Sequence, residues 1–263
     1  MPSRVRRADR AALWALVAAA TACSSSDDGP GYAEGEAAYE RGDFERAHRI
    51  WKPLADEGHA DAQVRVGAMY FHGEGVDKDA DLAVGYWTEA AAEGDLEAKI
   101  GLGNAYAEGR GASEDQATAV RWWRLAAKGG HVDAQVGLAQ AYANARGVDR
   151  DFQQAEAWWR RATDQGSLEA KLALGNLYLT HPDEVEGDGR AGVELIRGAA
   201  EAGHVDAQYG LGLLYQVGRG VDPDPERARE LLERAAAQGH AGAQSRLAEP
   251  SPGGPDPEPP HPR

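Results

Sequence analysis

Several kinds of residue in this sequence could do chemistry. Four Gly-His pairs (Gly58-His59, Gly130-His131, Gly203-His204 and Gly239-His240) supply imidazoles, the doublets Trp122-Trp123 and Trp158-Trp159 supply indoles, and Cys23 is the one thiol. Tryptophans set ahead of a Gly-His pair, as in AVRWWRLAAKGGHVDAQ at 119–135, suit a binding pocket or a metal site. Asp77-Lys78-Asp79-Ala80-Asp81 imitates the start of an EF-hand loop, and Asp183, Glu184, Glu186 and Asp188 form an acidic run. Gly101-Leu102-Gly103 looks like half of a dinucleotide-binding fingerprint.

Spacing argues against most of these. An EF-hand loop needs glycine at its sixth position and glutamate at its twelfth, where this chain has Leu82 and Thr88. The Gly-Leu-Gly run sits inside a helical pattern with no strand ahead of it, the wrong context for a dinucleotide. No H-E-x-x-H, C-x-x-C or G-x-S-x-G occurs, so no catalytic site is expected and no cofactor or metal is implied. The acidic run reads as a solvated surface, with a partner contact or a weakly held cation as its other possible use.

The opening motif recurs. AHRIWKPLADEGHADAQ (47–63), AVGYWTEAAAEGDLEAK (83–99), AEAWWRRATDQGSLEAK (155–171), GVELIRGAAEAGHVDAQ (192–208) and ARELLERAAAQGHAGAQ (228–244) align with it. Gly58, Gly94, Gly130, Gly166, Gly203 and Gly239 follow one another at spacings of 36, 36, 36, 37 and 36 residues. A fixed period of that size marks stacked helical hairpins, each contacting only its neighbours.

Within one unit, 134–166, two helical patterns stand out. Val136, Leu138, Ala139, Ala141 and Tyr142 share one face, and Phe152, Ala155, Trp158, Trp159 and Ala162 share another. Between them lies a G-x-G-V-D loop, as in Gly73-Glu74-Gly75-Val76-Asp77, whose glycine supplies a positive φ after the first helix. Asp43, Asp79, Asp115, Asp151, Asp188 and Asp224 stand where each second helix begins and can accept its orphan N–H groups. The architecture expected is all-α, about six antiparallel helix pairs.

Read by column, the candidate residues become structural. His59, Asp95, His131, Ser167, His204 and His240 share one position near the N-cap of each first helix, and interchange with Asp and Ser fits capping. Packed helices lie about 8–10 Å apart, whereas zinc needs each nitrogen within about 2.0–2.1 Å. Imidazoles one repeat apart therefore cannot share an ion. Trp51, Trp87, Trp122, Trp123, Trp158 and Trp159 occupy two adjacent columns that end in Leu195-Ile196 and Leu231-Leu232, which marks them as core. A tyrosine column (Tyr39, Tyr70, Tyr106, Tyr142, Tyr178, Tyr215) reads the same way. Gly67, Gly103, Ala139, Gly175 and Gly212 form a small-residue column, expected where adjacent first helices approach closely.

The period together with LG-x-x-Y, G-x-G-V, A-x-x-W-W and A-A-x-x-G-H-x-x-A-Q resembles the Sel1-like repeat family, relatives of the tetratricopeptide repeats. The resemblance covers about 35–248, with a degenerate first unit and one later unit whose loop is THPDEVEGDG, 180–189. It implies a right-handed superhelical solenoid acting as an adaptor or scaffold, with a concave groove for a protein or peptide. Some exported relatives staple each unit with a disulfide; this chain lacks those cysteines. Polar positions on the first helices that could line a groove are Lys99, Asn104, Gln135, Gln140, Lys171 and Asn176.

Net charge is -15 and basic residues cluster only at the start, which speaks against nucleic acid. Arg4, Arg6, Arg7 and Arg10 ahead of an apolar Ala11–Ala20 read as a signal peptide over 1–22. Ala20-Thr21-Ala22-Cys23 resembles a lipobox, making Cys23 an acylated N-terminus and 23–34 a tether to a membrane; the same bond also satisfies an A-x-A site, which would leave a soluble exported protein. Residues 249–263 are proline-rich and expected to stay unpacked. The expected role is a non-enzymatic scaffold at a bacterial cell envelope, facing the periplasm or the cell surface. A cell-wall-acting hydrolase or a carbohydrate-binding module stands as the alternative.

Overall fold

A computed structural model describes residues 30–248; Cys23, the signal segment and the proline-rich tail lie outside the described residues. Thirteen helices and no strand are present among them: α1 Pro30–Glu40, α2 Phe44–Asp56, α3 Ala60–His72, α4 Ala80–Ala92, α5 Leu96–Glu108, α6 Gln116–Lys128, α7 Val132–Asn144, α8 Phe152–Asp164, α9 Leu168–Thr180, α10 Gly189–Glu201, α11 Val205–Val217, α12 Pro225–Ala237 and α13 Ala241–Ala248. Each helix packs on the one before and the one after it, and α3 also touches α5 across a repeat. The core is accordingly a spine of successive apolar clusters running along the stack, not one central ball.

Caps fix where each element begins. Carboxylates of Asp43, Asp79, Asp115, Asp151, Asp188 and Asp224 each accept the backbone N–H three residues on, and Asp224 is followed by Pro225 at a position with no N–H to satisfy. The N–H groups of Asp79, Asp115, Asp151 and Asp224 donate in turn to the carbonyls of Tyr70, Tyr106, Tyr142 and Tyr215 at 2.9–3.1 Å, tying each loop to the helix it leaves. At the first helices, Asp95, Ser167, His59, His204 and His240 accept in the same way. His131 departs from the column: it makes no cap bond, and its Nε2 lies 2.8 Å from Glu97 Oε1 instead.

Alanine sets how close the helices come. Ala47, Ala83, Ala119, Ala155 and Ala228 on the second helices, and Ala62, Ala98, Ala170, Ala207 and Ala243 on the first, are fully buried. Gly192 takes the alanine position in α10, and a β-carbon there would lie 2.7 Å from the Gly175 carbonyl oxygen, so α9 and α10 meet backbone to backbone.

Two expectations need correction. The tether read over 23–34 ends earlier, because α1 begins at Pro30, a residue suited to a first helical position. Tyr32 is buried there, its ring stacked on His59 at 5.2 Å and its carbonyl accepting Trp51 Nε1–H at 3.1 Å. The small-residue column, for its part, does not serve first helix against first helix. A β-carbon on Gly67 would strike Trp87 and one on Gly103 would strike Trp123, each the indole of the second helix in the same hairpin.

Candidate protein-binding groove

First helices α3, α5, α7, α9 and α11 carry a carboxylate in their first turn: Asp61, Glu97, Asp133, Glu169 and Asp206. Negative charge there is favoured by the helix dipole. Stacking turns this local preference into a column of carboxylates that runs from repeat to repeat. Glu97 pairs with His131 and Asp206 Oδ1 lies 3.3 Å from His240 Nε2, so the column also stitches one unit to the next. Burial pushes His131 down, but the Glu97 hydrogen bond and charge, with Asp133 and Asp95, more than reverse it and leave its pKa raised.

Between α5 and α7 the stack opens into a cavity of about 420 Å³. Glu97, Ile100, Asn104 and Glu108 line it from α5, Asp133, Gly137 and Gln140 from α7, Arg146 from the following loop, and Trp123 of α6 from behind. Asn104 Oδ1 accepts the Trp123 indole N–H at 3.1 Å. Gln140 Nε2 donates to Glu169 Oε1 at 3.0 Å, carrying the polar line on to α9.

The six groove candidates fall in different places. Asn104 and Gln140 line the cavity together, and Asn176 stands exposed at the same register one repeat on. Gln135 is buried, 3% exposed; its Nε2 donates to the Ala127 carbonyl at 3.3 Å and its Oε1 accepts from Gln165 at 2.9 Å. Gln63, Gln208 and Gln244 do the same for Ala55, Ala200 and Ala236, each satisfying a carbonyl at the end of the preceding helix. Lys99 stands in that column too and folds its Nζ back onto the Gly94 carbonyl at 2.6 Å. The half-buried Lys171 lays its stem beside Gly198 of α10.

Five copies of the Sel1 repeat match the chain, at residues 60–95, 96–131, 132–167, 168–204 and 205–240. The chain belongs to the Sel1 repeat family. Its fold is similar to a Sel1 repeat protein of Oxalobacter formigenes, with a TM-score of 0.75, 28% identity, and coverage of 82% of this chain and 86% of that one. It is also similar to a protective antigen of uropathogenic Escherichia coli displaying an SLR fold, with a TM-score of 0.73, 32% identity and 82% coverage of this chain, which spans only 47% of the antigen's length. An immunity protein of Pseudomonas aeruginosa shares the fold at 16% identity, with a TM-score of 0.53 and coverage of 78% and 81%. Comparison with curated proteins gives no match.

Sel1 periodicity did not reveal the residues that individualise this face. Trp51, Trp87, Trp158 and Trp159 are buried as expected, yet Trp122 and Trp123 are only half-buried. The reason at Trp123 is a missing wedge. Trp87 is clamped by Gly67 on one side and Gly101 of the next repeat on the other, whereas nothing lies within 4 Å of a β-carbon on Gly137, the equivalent of Gly101. Glu156 was missed as well. It is the one charged side chain that is buried among the described residues, at 4% exposed, and it holds the atypical loop by accepting from Tyr178 Oη at 2.7 Å, the Glu186 N–H at 3.1 Å and Arg160 at 2.7 Å. Burial alone would raise its pKa, but these donors together lower it, so the group is an anion held for structure. The signal lay in its column, where the inner units carry Val84, Val120 and Val193 and only the terminal ones, with His48 and Arg229, are polar.

Among the described residues no group of three His, Cys, Asp or Glu is placed to hold a metal ion, and no helix is long and apolar enough to cross a membrane.

Proposed function

We propose that this Sel1 repeat chain is a non-enzymatic scaffold that holds a protein segment along the face of its first helices, at a bacterial envelope, anchored through an acylated Cys23. Sel1 repeats are in general protein–protein interaction modules. The observation that carries the reading here is the cavity between α5 and α7, whose Asn104 and Gln140 continue through Glu169 towards Asn176 as a polar line crossing repeats. A line of that kind suits an extended partner, since each repeat adds a further contact.

Replacing Asn104, Gln140 and Asn176 together by alanine should abolish capture of the partner crosslinked to the wild-type protein in cells, with helical content unchanged. Undiminished capture would move the binding face elsewhere. Cys23→Ser should release the protein from the membrane fraction; retention there would remove the anchor.

A further inference from the structure

We propose that the cavity beside Trp123 is a receptor for one arginine side chain of a partner segment lying across α5 and α7. Trp87 shows what the repeat does when it closes: the indole is wedged between Gly67 and Gly101, its Nε1 2.7 Å from a β-carbon on the former and its Cδ2 2.5 Å from one on the latter. One repeat on, Gly103 still presses on Trp123, but Gly137 faces open space. The volume that a closed repeat would fill is therefore available, with a half-buried indole on one side of it.

That indole is oriented, because Asn104 holds its N–H at 3.1 Å. Three carboxylates share the lining, Glu97 and Glu108 from α5 and Asp133 from α7, against the single cation Arg146. Glu97 turns one oxygen to the His131 imidazole at 2.8 Å and Glu108 one to the Arg110 guanidinium at 3.1 Å, and Asp133 is exposed. An aromatic face beside the exposed Asp133 carboxylate selects a cation. Arginine suits it better than lysine, since a planar guanidinium stacks on the ring while its fork addresses a carboxylate. The chain already makes such pairs internally: the Arg161 guanidinium lies 4.4 Å from the Trp158 ring centre and that of Arg110 lies 3.8 Å from Phe71.

The test is a titration of Ac-Gly-Arg-Gly-NH2 into nitrogen-15-labelled protein, reading the Trp123 indole N–H, assigned with Trp123→Phe. The expected result is a saturable shift with a dissociation constant on the order of millimolar. The norleucine and aspartate peptides should bind at least about tenfold more weakly, and Asp133→Asn should weaken the arginine peptide about threefold. Gly137→Leu fills the cavity and should abolish the shift with unchanged helical content. The exposed Asp133→Asn change decides the matter should the leucine disturb α7. Equal binding of the norleucine peptide, tighter binding of the aspartate peptide, or no effect of Asp133→Asn overturns the site. The pocket deepens the scaffold role above, and the two fail separately. A partner captured equally by wild-type and Gly137→Leu protein overturns the pocket and leaves the scaffold standing.

Discussion

A β-carbon placed on Gly67 would lie 2.7 Å from Nε1 of Trp87, so glycine in the middle of α3 is a condition for seating the indole of α4. Trp87 is 4% exposed and its N–H reaches the Val64 carbonyl at 3.3 Å, so it has little room to retreat. Helix propensity alone would make Gly67→Ala favourable by about 1 kcal/mol. Overpacking costs about 1–3 kcal/mol and should win. At Gly137, where nothing lies within 4 Å, only the propensity gain operates. Urea denaturation should therefore show Gly67→Ala less stable than wild type and Gly137→Ala more stable by about 1 kcal/mol. The same sign at both positions would refute the wedge.

Most of the hairpin stack was legible because a repeat writes each structural position several times. Asp79, Asp115 and Asp151 declare a cap by recurring, and His59, Asp95 and Ser167 declare theirs by interchanging. What was not legible occurs once or depends on shape. Gln135 looks like surface, and only the structure shows the helix-end carbonyl it satisfies. Trp123 looks like Trp87 in sequence, and only the structure shows that Gly137 does not close on it as Gly101 closes on Trp87. Pro30 and Gly31 read as tether because turn residues and helix starts share a composition.

The pair of His131 and Glu97 makes stability depend on pH. Its pKa is raised in the folded chain above the ordinary 6.5, although burial pulls the other way. A raised histidine stabilises fully below its unfolded pKa, and that contribution is lost as pH rises through the folded value. The stability difference between wild type and Glu97→Gln should thus be largest below the ordinary imidazole value and shrink as pH rises through the raised one. The imidazole carbon-proton resonances of His131 should titrate above 6.5 in wild type and lower in the variant. An unchanged midpoint would sever the link between the units.

Glu156 should behave in the opposite sense. Its pKa is lowered, so the stability it lends is present above the ordinary carboxyl value and is lost as pH falls through the folded one. Glu156→Val restores the residue of neighbouring repeats but leaves the Tyr178 hydroxyl and the Glu186 N–H without their acceptor. Each group left without a partner costs about 1–3 kcal/mol. The loss should concentrate in the loop at 181–188, read as faster hydrogen exchange at Glu186, while α5 and α6 keep their protection.

Ala145 ends α7 with φ of 55°, in the left-handed region where Gly73, Gly109 and Gly218 end the equivalent helices. The loop keeps the form of its neighbours: the Ala145 N–H returns to the Ala141 carbonyl, and the Asp151 N–H reaches the Tyr142 carbonyl at 3.1 Å. Packing of the hairpin therefore overrides the preference of the side chain. A left-handed conformation costs an L-residue about 1–2 kcal/mol, which glycine avoids while losing somewhat more entropy on folding. Ala145→Gly should raise stability by about 1 kcal/mol without moving the loop. The check is a urea midpoint measured beside Gly109→Ala, which imposes the same strain where it is now absent and should shift the other way.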